Sequence, residues 1–433
     1  MRLINVIAFL VPLAFASTTS HLSTADLSSK VTYDGYHVYA VRFADDHEAD
    51  KLEKRFEKYH TIRRRDTVNV AVPPLEVRNF NSLRLDARLL STDLGQQIRD
   101  ESKSPVYKRQ AGQLPDLSWF DTYHDYADHL QYWDDLAAAF PDNSERFELG
   151  LSHENRTIYA YHYFGGEGVA EDKPVVLYHS TVHAREWITT MVHEYFAYQL
   201  IDGYQRGDPN VTFFFDTYDF YLVPFHNPDG FSYTQTTDRQ WRKNRQPRSN
   251  TTCVGTDLNR NWKYKWASNP GASPDPCAET FQGLSAGDTL ENQAVSSLSD
   301  KLGARPAGIR SYVDLHSYGE KILTPFGWTC DPAQQPVTLP RMLEVAGGLA
   351  AVLNTYDGTN YTFGTGCDIE YYSSGNGRDH HYGFYNASHT WTLELDPLTD
   401  DDGGFVLPPD RIRPVVEEQW QGQLWVLNNV TQN

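Results

Sequence analysis

Residues 174–187 read Pro-Val-Val-Leu-Tyr-His-Ser-Thr-Val-His-Ala-Arg-Glu-Trp. An apolar run of this length, opened by a proline, reads as a buried strand. It empties directly into ionisable residues, His183, Arg185 and Glu186, where helical spacing begins over 186–204. The same layout recurs downstream. An expected strand over 310–316 ends in His316-Ser317-Tyr318, one over 389–395 carries Glu394, and one over 218–225 leads to Asn227-Pro-Asp-Gly230. Further helices are expected over 122–139, 291–303, 339–354 and 413–428. Apolar strands alternating with helices are the signature of α/β architecture, here a mixed, twisted central sheet flanked by helices. In such sheets ligands collect beyond the carboxyl ends of the strands, where these ionisable clusters fall.

A catalytic zinc needs about three nitrogen or oxygen ligands and an open position. His183 and Glu186, three apart at a strand-to-helix turn, can supply two and His316 the third. The base must then come from elsewhere, and Glu394 is the leading carboxylate. His-x-x-Glu alone is a weak signal, since most such pairs are surface residues. The endopeptidase pattern His-Glu-x-x-His is absent: His193-Glu194 is followed by Tyr195-Phe196-Ala197.

The N-terminal third has a different texture. Residues 36–44 alternate like a strand, 46–59 are charged with helical spacing, 67–72 form a second short strand, and a polar helical tail is expected over 83–102. This is a small α+β unit. It ends at Lys108-Arg109, read as a processing site. Ahead of it, residues 1–16 read as a signal peptide: one early charge, an apolar stretch and the small-x-small ending Ala14-Phe15-Ala16. Six Asn-x-Ser/Thr acceptors, at Asn155, Asn210, Asn250, Asn360, Asn386 and Asn429, agree with secretion. The expected division is a leader over 1–16, an accessory unit over 17–109 and a catalytic domain over 110–433.

Composition narrows the partners. The 433 residues are 40% hydrophobic and 13% aromatic, ample for a large core, and carry a formal net charge of −19. So acidic a chain is a poor ligand for nucleic acid or an anionic membrane, and no segment approaches the roughly 18 unbroken apolar residues of a spanning helix. A monomer is expected. The cysteines, Cys253, Cys277, Cys330 and Cys367, allow three pairings in an oxidising compartment. Sequence-near pairing closes the shortest loops.

Read together, His183-Ala-Arg-Glu-Trp187, Asn227-Pro-Asp-Gly230, Arg239-Gln-Trp-Arg242, Asp257-Leu-Asn-Arg-Asn-Trp262, His316-Ser-Tyr318 and Glu394 resemble, in order and spacing, the zinc carboxypeptidases of the pancreatic A and B type. The resemblance spans nearly all of 112–430, and the first 109 residues are similar to that family's signal peptide and inhibitory, ferredoxin-like propeptide. It implies a secreted zymogen, activated near Arg109, that releases single residues from the C-termini of peptides. His183, Glu186 and His316 would hold the zinc, and Asp257 would orient a histidine ligand. Glu394 would be the general base toward the attacking water, and Arg242 would stabilise the oxyanion. Asn259 and Arg260 would hold the terminal carboxylate, with Tyr371 closing over it and Tyr372 the weaker alternative. Arg185, Arg239, Ser317 and Tyr318 would line the neighbouring subsites. The resemblance also implies the pairings Cys253–Cys277 and Cys330–Cys367. An inactive zinc-binding relative is the competing reading, disfavoured because Glu394, Arg242, Asn259, Arg260 and a tyrosine are all present.

After Tyr371 the family usually reads Ala-Ser-Gly-x-Ser-x-Asp-Trp; here residues 373–380 are Ser-Ser-Gly-Asn-Gly-Arg-Asp-His. Arg378 falls at the position resembling the base of the pocket for the terminal side chain. An arginine there favours Asp or Glu by charge; neutralisation by Glu370 or Asp368 would instead leave room, beside Gly327 and Gly366, for a large apolar residue. Asp396 also departs, standing where many members carry Arg.

Overall fold

The computed structural model of the chain describes residues 30–430 apart from 57–58, 64–65, 102–106, 109–111, 167, 169–170, 250, 269–270, 357 and 398–402. The expected leader and the bond after Arg109 lie outside the described residues. The N-terminal unit comprises β1 (His37–Arg42), α1 (Asp46–Arg55), β2 (His60–Arg63), β3 (Thr67–Val72), α2 (Val77–Ser82), β4 (Ala87–Ser91) and α3 (Leu94–Glu101). Its four strands form an antiparallel sheet in the order β2-β3-β1-β4. Tyr39, Val41, Val68, Val70 and Val72 pack there against Leu52, Phe56 and Phe80. The continuous helix expected over 83–102 is not formed. Ala87, Arg88 and Leu89 pair with Val41, Ala40 and Tyr39, so the open edge of β1 overrides local helical preference, and the helix begins only at Leu94.

The larger unit runs α4 (Tyr126–Ala139), β5 (Ser144–Leu151), β6 (Thr157–Tyr163), β7 (Val175–His179), α5 (Ile188–Gln205), α6 (Pro209–Thr217), β8 (Asp219–Val223), α7 (Pro228–Thr236) and α8 (Leu290–Gly303). It continues through β9 (Ile309–Ser317), β10 (Lys321–Thr324), α9 (Leu339–Leu353), β11 (Thr362–Thr365), α10 (Gly366–Ile369), α11 (Gly377–Tyr385), β12 (His389–Leu395) and α12 (Ile412–Asn429). The eight strands form one mixed sheet, ordered β11-β10-β12-β9-β7-β8-β6-β5. The central four, β12-β9-β7-β8, are parallel. All five residues of β7 are buried, because a parallel sheet is covered on both faces. Alternate residues serve opposite cores: Val176, Tyr178, Val313 and Leu315 join one apolar cluster, while Val175, Leu177, Ile309 and Tyr312 join the other.

Two disulfides pair Cys253 with Cys277 and Cys330 with Cys367, with Cα separations of 5.1 and 5.4 Å. Of the sequon asparagines, Asn155, Asn210, Asn360 and Asn386 are exposed and Asn429 is half-buried, while Asn250 lies outside the described residues. Among the described residues, no helix is long and apolar enough to cross a membrane.

Candidate metal centre and substrate cleft

Because β7, β9 and β12 are parallel neighbours, their carboxyl ends deliver side chains to one place. His183 and Glu186 lie in the turn between β7 and α5, and His316 is near the end of β9. Glu394 on β12 is directly paired with His316, so both project from the same face.

Three side chains distant in sequence converge there. His183 Nδ1 lies 2.9 Å from Glu186 Oε1, His316 Nδ1 lies 3.0 Å from Glu186 Oε2, and the two Nδ1 atoms are 3.0 Å apart. All three residues are buried, and their ligating atoms fall within 4.8 Å of one another. Two imidazole nitrogens facing each other beside a carboxylate form a nest of lone pairs that calls for a cation. His183 Nε2 lies 3.0 Å from Asp257 Oδ1 and His316 Nε2 lies 2.8 Å from Asp314 Oδ1, an arrangement that turns both Nδ1 atoms inward. Burial opposes charge on His316, but Asp314 and Glu186 outweigh it and hold its pKa well above the ordinary imidazole value. Nitrogen and oxygen donors in this set suit zinc.

The neighbouring groups are also in position. Arg242 places Nε and Nη2 on Asp257 Oδ2 at 3.2 and 2.9 Å, leaving Nη1 3.9 Å from Glu186 Oε1. Glu394 is half-buried in the cleft. Desolvation, reinforced by Glu186 and Glu370 against His316 and Lys321, pushes its pKa up to about 7. Arg260 is tied through Nε to Gly271 O and through Nη1 to Asn259 O, with its guanidinium 5.8 Å from the Tyr371 ring centre. Tyr371 also acts electrostatically on Arg242, whereas Tyr372 is 38% exposed; the structure thus brings Tyr371 to the cleft. Ser317 donates its N–H to Glu186 Oε2 at 3.2 Å, and Tyr318 packs edge-on to Phe405. Arg185 donates to Glu279 Oε2 at 2.9 Å and lies over Phe405.

Asn259 is committed internally: Nδ2 donates to Asp314 Oδ2 at 3.1 Å, and Oδ1 accepts from Gly377 N at 2.8 Å. Arg239 meets a residue that the sequence reading did not single out, Glu101 at the end of α3, at 2.5 and 2.6 Å. Arg378 is buried against Gly327 and Gly366, where a Cβ on either glycine would meet the guanidinium. Its carboxylate neighbour is Asp379, with Nε to Oδ1 at 3.3 Å. The two acids expected to neutralise it are engaged elsewhere: Glu370 pairs with Lys321, and Asp368 accepts from Thr365 Oγ1 at 2.6 Å.

This fold and site define a metallopeptidase of the two-histidine, one-glutamate kind. Residues 129–422 match the family model described as zinc carboxypeptidase, and the chain belongs to that family. It is 37% identical to metallocarboxypeptidase A of Trichophyton rubrum, covering 97% of this chain and 99% of that one. It is 30% identical to carboxypeptidase A2 of Rattus norvegicus, covering 88% of each. The crystal structure of thrombin activatable fibrinolysis inhibitor superimposes with a TM-score of 0.81 at 25% identity, covering 92% of this chain and 99% of that chain. The protein is a peptide hydrolase.

Proposed function

We propose that the chain is a secreted zymogen whose cleaved form removes single residues from peptide C-termini, with a preference for Asp or Glu. Residues 1–16 act as the leader, 17–109 as the inhibitory propeptide and 110–433 as the catalytic domain. The observation that carries this reading is the convergence of His183, Glu186 and His316 beside Glu394.

His183, Glu186 and His316 would hold one zinc ion, which supplies Lewis-acid polarisation of the scissile carbonyl and of water. Glu394 takes a proton from the attacking water and passes it to the departing amine nitrogen. Its raised pKa suits both transfers near neutrality. Arg242, braced by Asp257, offers Nη1 to the oxyanion that forms as the carbonyl carbon becomes tetrahedral. Arg260 and Tyr371 bind the substrate's free carboxylate, which is what confines cleavage to the chain end. Asn259 contributes less directly than its position in the motif suggests, because its amide is bonded to Asp314 and Gly377.

The decisive experiment assays the cleaved protein on matched peptides ending in Glu, Phe and Lys, with and without a metal chelator. Zinc-restorable release of the last residue, fastest for Glu, is expected. Internal cleavage, or activity indifferent to the chelator, would overturn the reading; faster release of Phe would overturn the acidic preference alone.

A further inference from the structure

His316 Nε2 is approached from two sides by groups that ask opposite things of it. Asp314 Oδ1, an acceptor, lies at 2.8 Å, and Asn259 Nδ2, a donor, lies at 3.0 Å. If the carboxylate prevails, the ring carries its proton on Nε2 and Nδ1 presents a lone pair toward His183 and Glu186. If the amide prevails, Nε2 accepts and the proton moves to Nδ1, where it points at the other ligands and blocks a cation. Asp314 is also hydrogen-bonded to that same amide through its second oxygen, at 3.1 Å. Asp314 thus faces His316 Nε2 with Oδ1, a buried oxygen that has no aligned hydrogen-bond donor among the described residues, and engages the competing amide with Oδ2.

We infer that Asp314 is a positioning residue that sets the His316 tautomer and thereby governs how tightly the centre holds zinc. The two imidazoles are not equivalent in this respect. Asp257, which serves His183, also receives the Arg242 fork and the Asn259 backbone N–H at 2.9 Å, so much of its charge is already spoken for. Asp314 is fully buried. Besides His316, its nearest ionisable neighbour is His179 Nε2 at 3.6 Å, and no lysine or arginine among the described residues lies within the salt-bridge distance of it. Its charge is thus concentrated on His316, and His316 is the ligand whose orientation depends most on one partner. The geometry follows from the strands: Asp314 and His316, two apart on β9, share a face, and His179 on β7 is paired opposite Asp314.

The inference rests on the zinc reading above, and the test separates the two. Full-length metal-free protein is titrated with zinc against a chromophoric chelator, with circular dichroism checking the fold. Asp314→Asn is expected to weaken zinc binding roughly 10–100-fold, and adding Asn259→Ala to that variant should recover part of the loss by removing the competing donor. Wild-type protein that binds no zinc defeats the underlying reading. Wild type that binds zinc, with Asp314→Asn binding equally well, overturns this inference alone. So does a double variant no better than Asp314→Asn. Should Asp314→Asn fail to fold, Asn259→Ala alone decides: zinc affinity at or above wild type supports the inference, and a tenfold loss overturns it.

Discussion

Glu101→Gln in the uncleaved protein should make the precursor leak. Glu101 ends α3, and its carboxylate grips Arg239 by two hydrogen bonds of 2.5 and 2.6 Å, with Phe405 O, Arg185 O and the Trp187 ring completing the guanidinium's surroundings. Glutamine keeps the shape but offers one oxygen and turns an amide N–H toward a cation. Truncating one partner of a buried, hydrogen-bonded charge pair costs about 2–5 kcal/mol. At about 1.4 kcal/mol per factor of ten, the ratio of closed to open precursor falls roughly 30- to 4,000-fold. The lower end is expected, since Arg239 regains water once the N-terminal unit lifts away. The assay is hydrolysis of a C-terminal reporter peptide by precursor made uncleavable at Lys108-Arg109, with and without the substitution. Precursors that keep the Lys108-Arg109 site supply the control: if cleavage there removes Glu101 with the propeptide, the two products are the same polypeptide and must show the same rate. A Glu101→Gln precursor as silent as its parent would refute the latch.

The other predictions concern the cleft. Glu394→Gln should lower kcat by roughly 10²–10⁴-fold while zinc content, measured by atomic absorption, stays at wild-type level; loss of metal would mean Glu394 is structural. Because burial above all raises the Glu394 pKa from its ordinary 4.5 toward about 7, and the base works only when deprotonated, kcat/KM should fall as pH drops through a point well above 4.5. An acid limb at the ordinary glutamate value would contradict this. The same shift means the folded state binds the proton more tightly than the unfolded chain, so metal-free protein loses this contribution to stability as pH rises from 4.5 toward 7. Glu394→Gln should therefore raise the melting temperature of the metal-free form at neutral pH. Arg378→Ala should slow release of Glu by roughly 10–150-fold, the equivalent of a charged hydrogen bond worth about 1.5–3 kcal/mol. Release of Phe should be spared, and equal loss on both would indicate pocket collapse.

What could be read from the sequence followed burial. Strands β7, β9 and β12 are largely buried, β7 as a near-continuous apolar run and β9 and β12 as β-branched and aromatic-rich stretches, so their ends, and with them His183, Glu186, His316 and Glu394, were legible. The unread strands are mostly of another kind, the largely buried Thr157–Tyr163 being an exception. Ser144–Leu151 is mostly exposed, and Lys321–Thr324 and Thr362–Thr365 are four residues each. Such segments owe their form to long-range pairing that no local pattern encodes. Ala87–Ser91 belongs with them. In the site, Asp314 was not singled out, although its spacing of two from His316 on a buried strand was a usable signal. Glu101 and Arg239 meet across 138 positions, and nothing local joins them.

The cleft's arginines explain why a chain of net charge −19 can still attract a carboxylate-bearing substrate. Arg185, Arg239, Arg242 and Arg378 each pair with a carboxylate, of Glu279, Glu101, Asp257 and Asp379 respectively, and Arg242 also lies 3.9 Å from Glu186. Three of those acids belong to the larger unit; if the proposed cleavage removes Glu101, it would uncover the cation of Arg239. Arg378 differs in how little its neighbour takes from it. Asp379 already accepts from Gly327 N at 2.9 Å, Trp328 N at 3.1 Å and Asn376 Nδ2 at 2.9 Å, whereas its contact with Arg378 is a single one at 3.3 Å. Asp379 is held by three nearer donors than Arg378, and Arg378 Nη2 makes a further contact, to Ser373 Oγ, of 3.5 Å. Under the proposed acidic preference, the terminal nitrogens beside Gly327 and Gly366 would receive the incoming acidic side chain, and charge rather than volume should rank the substrates.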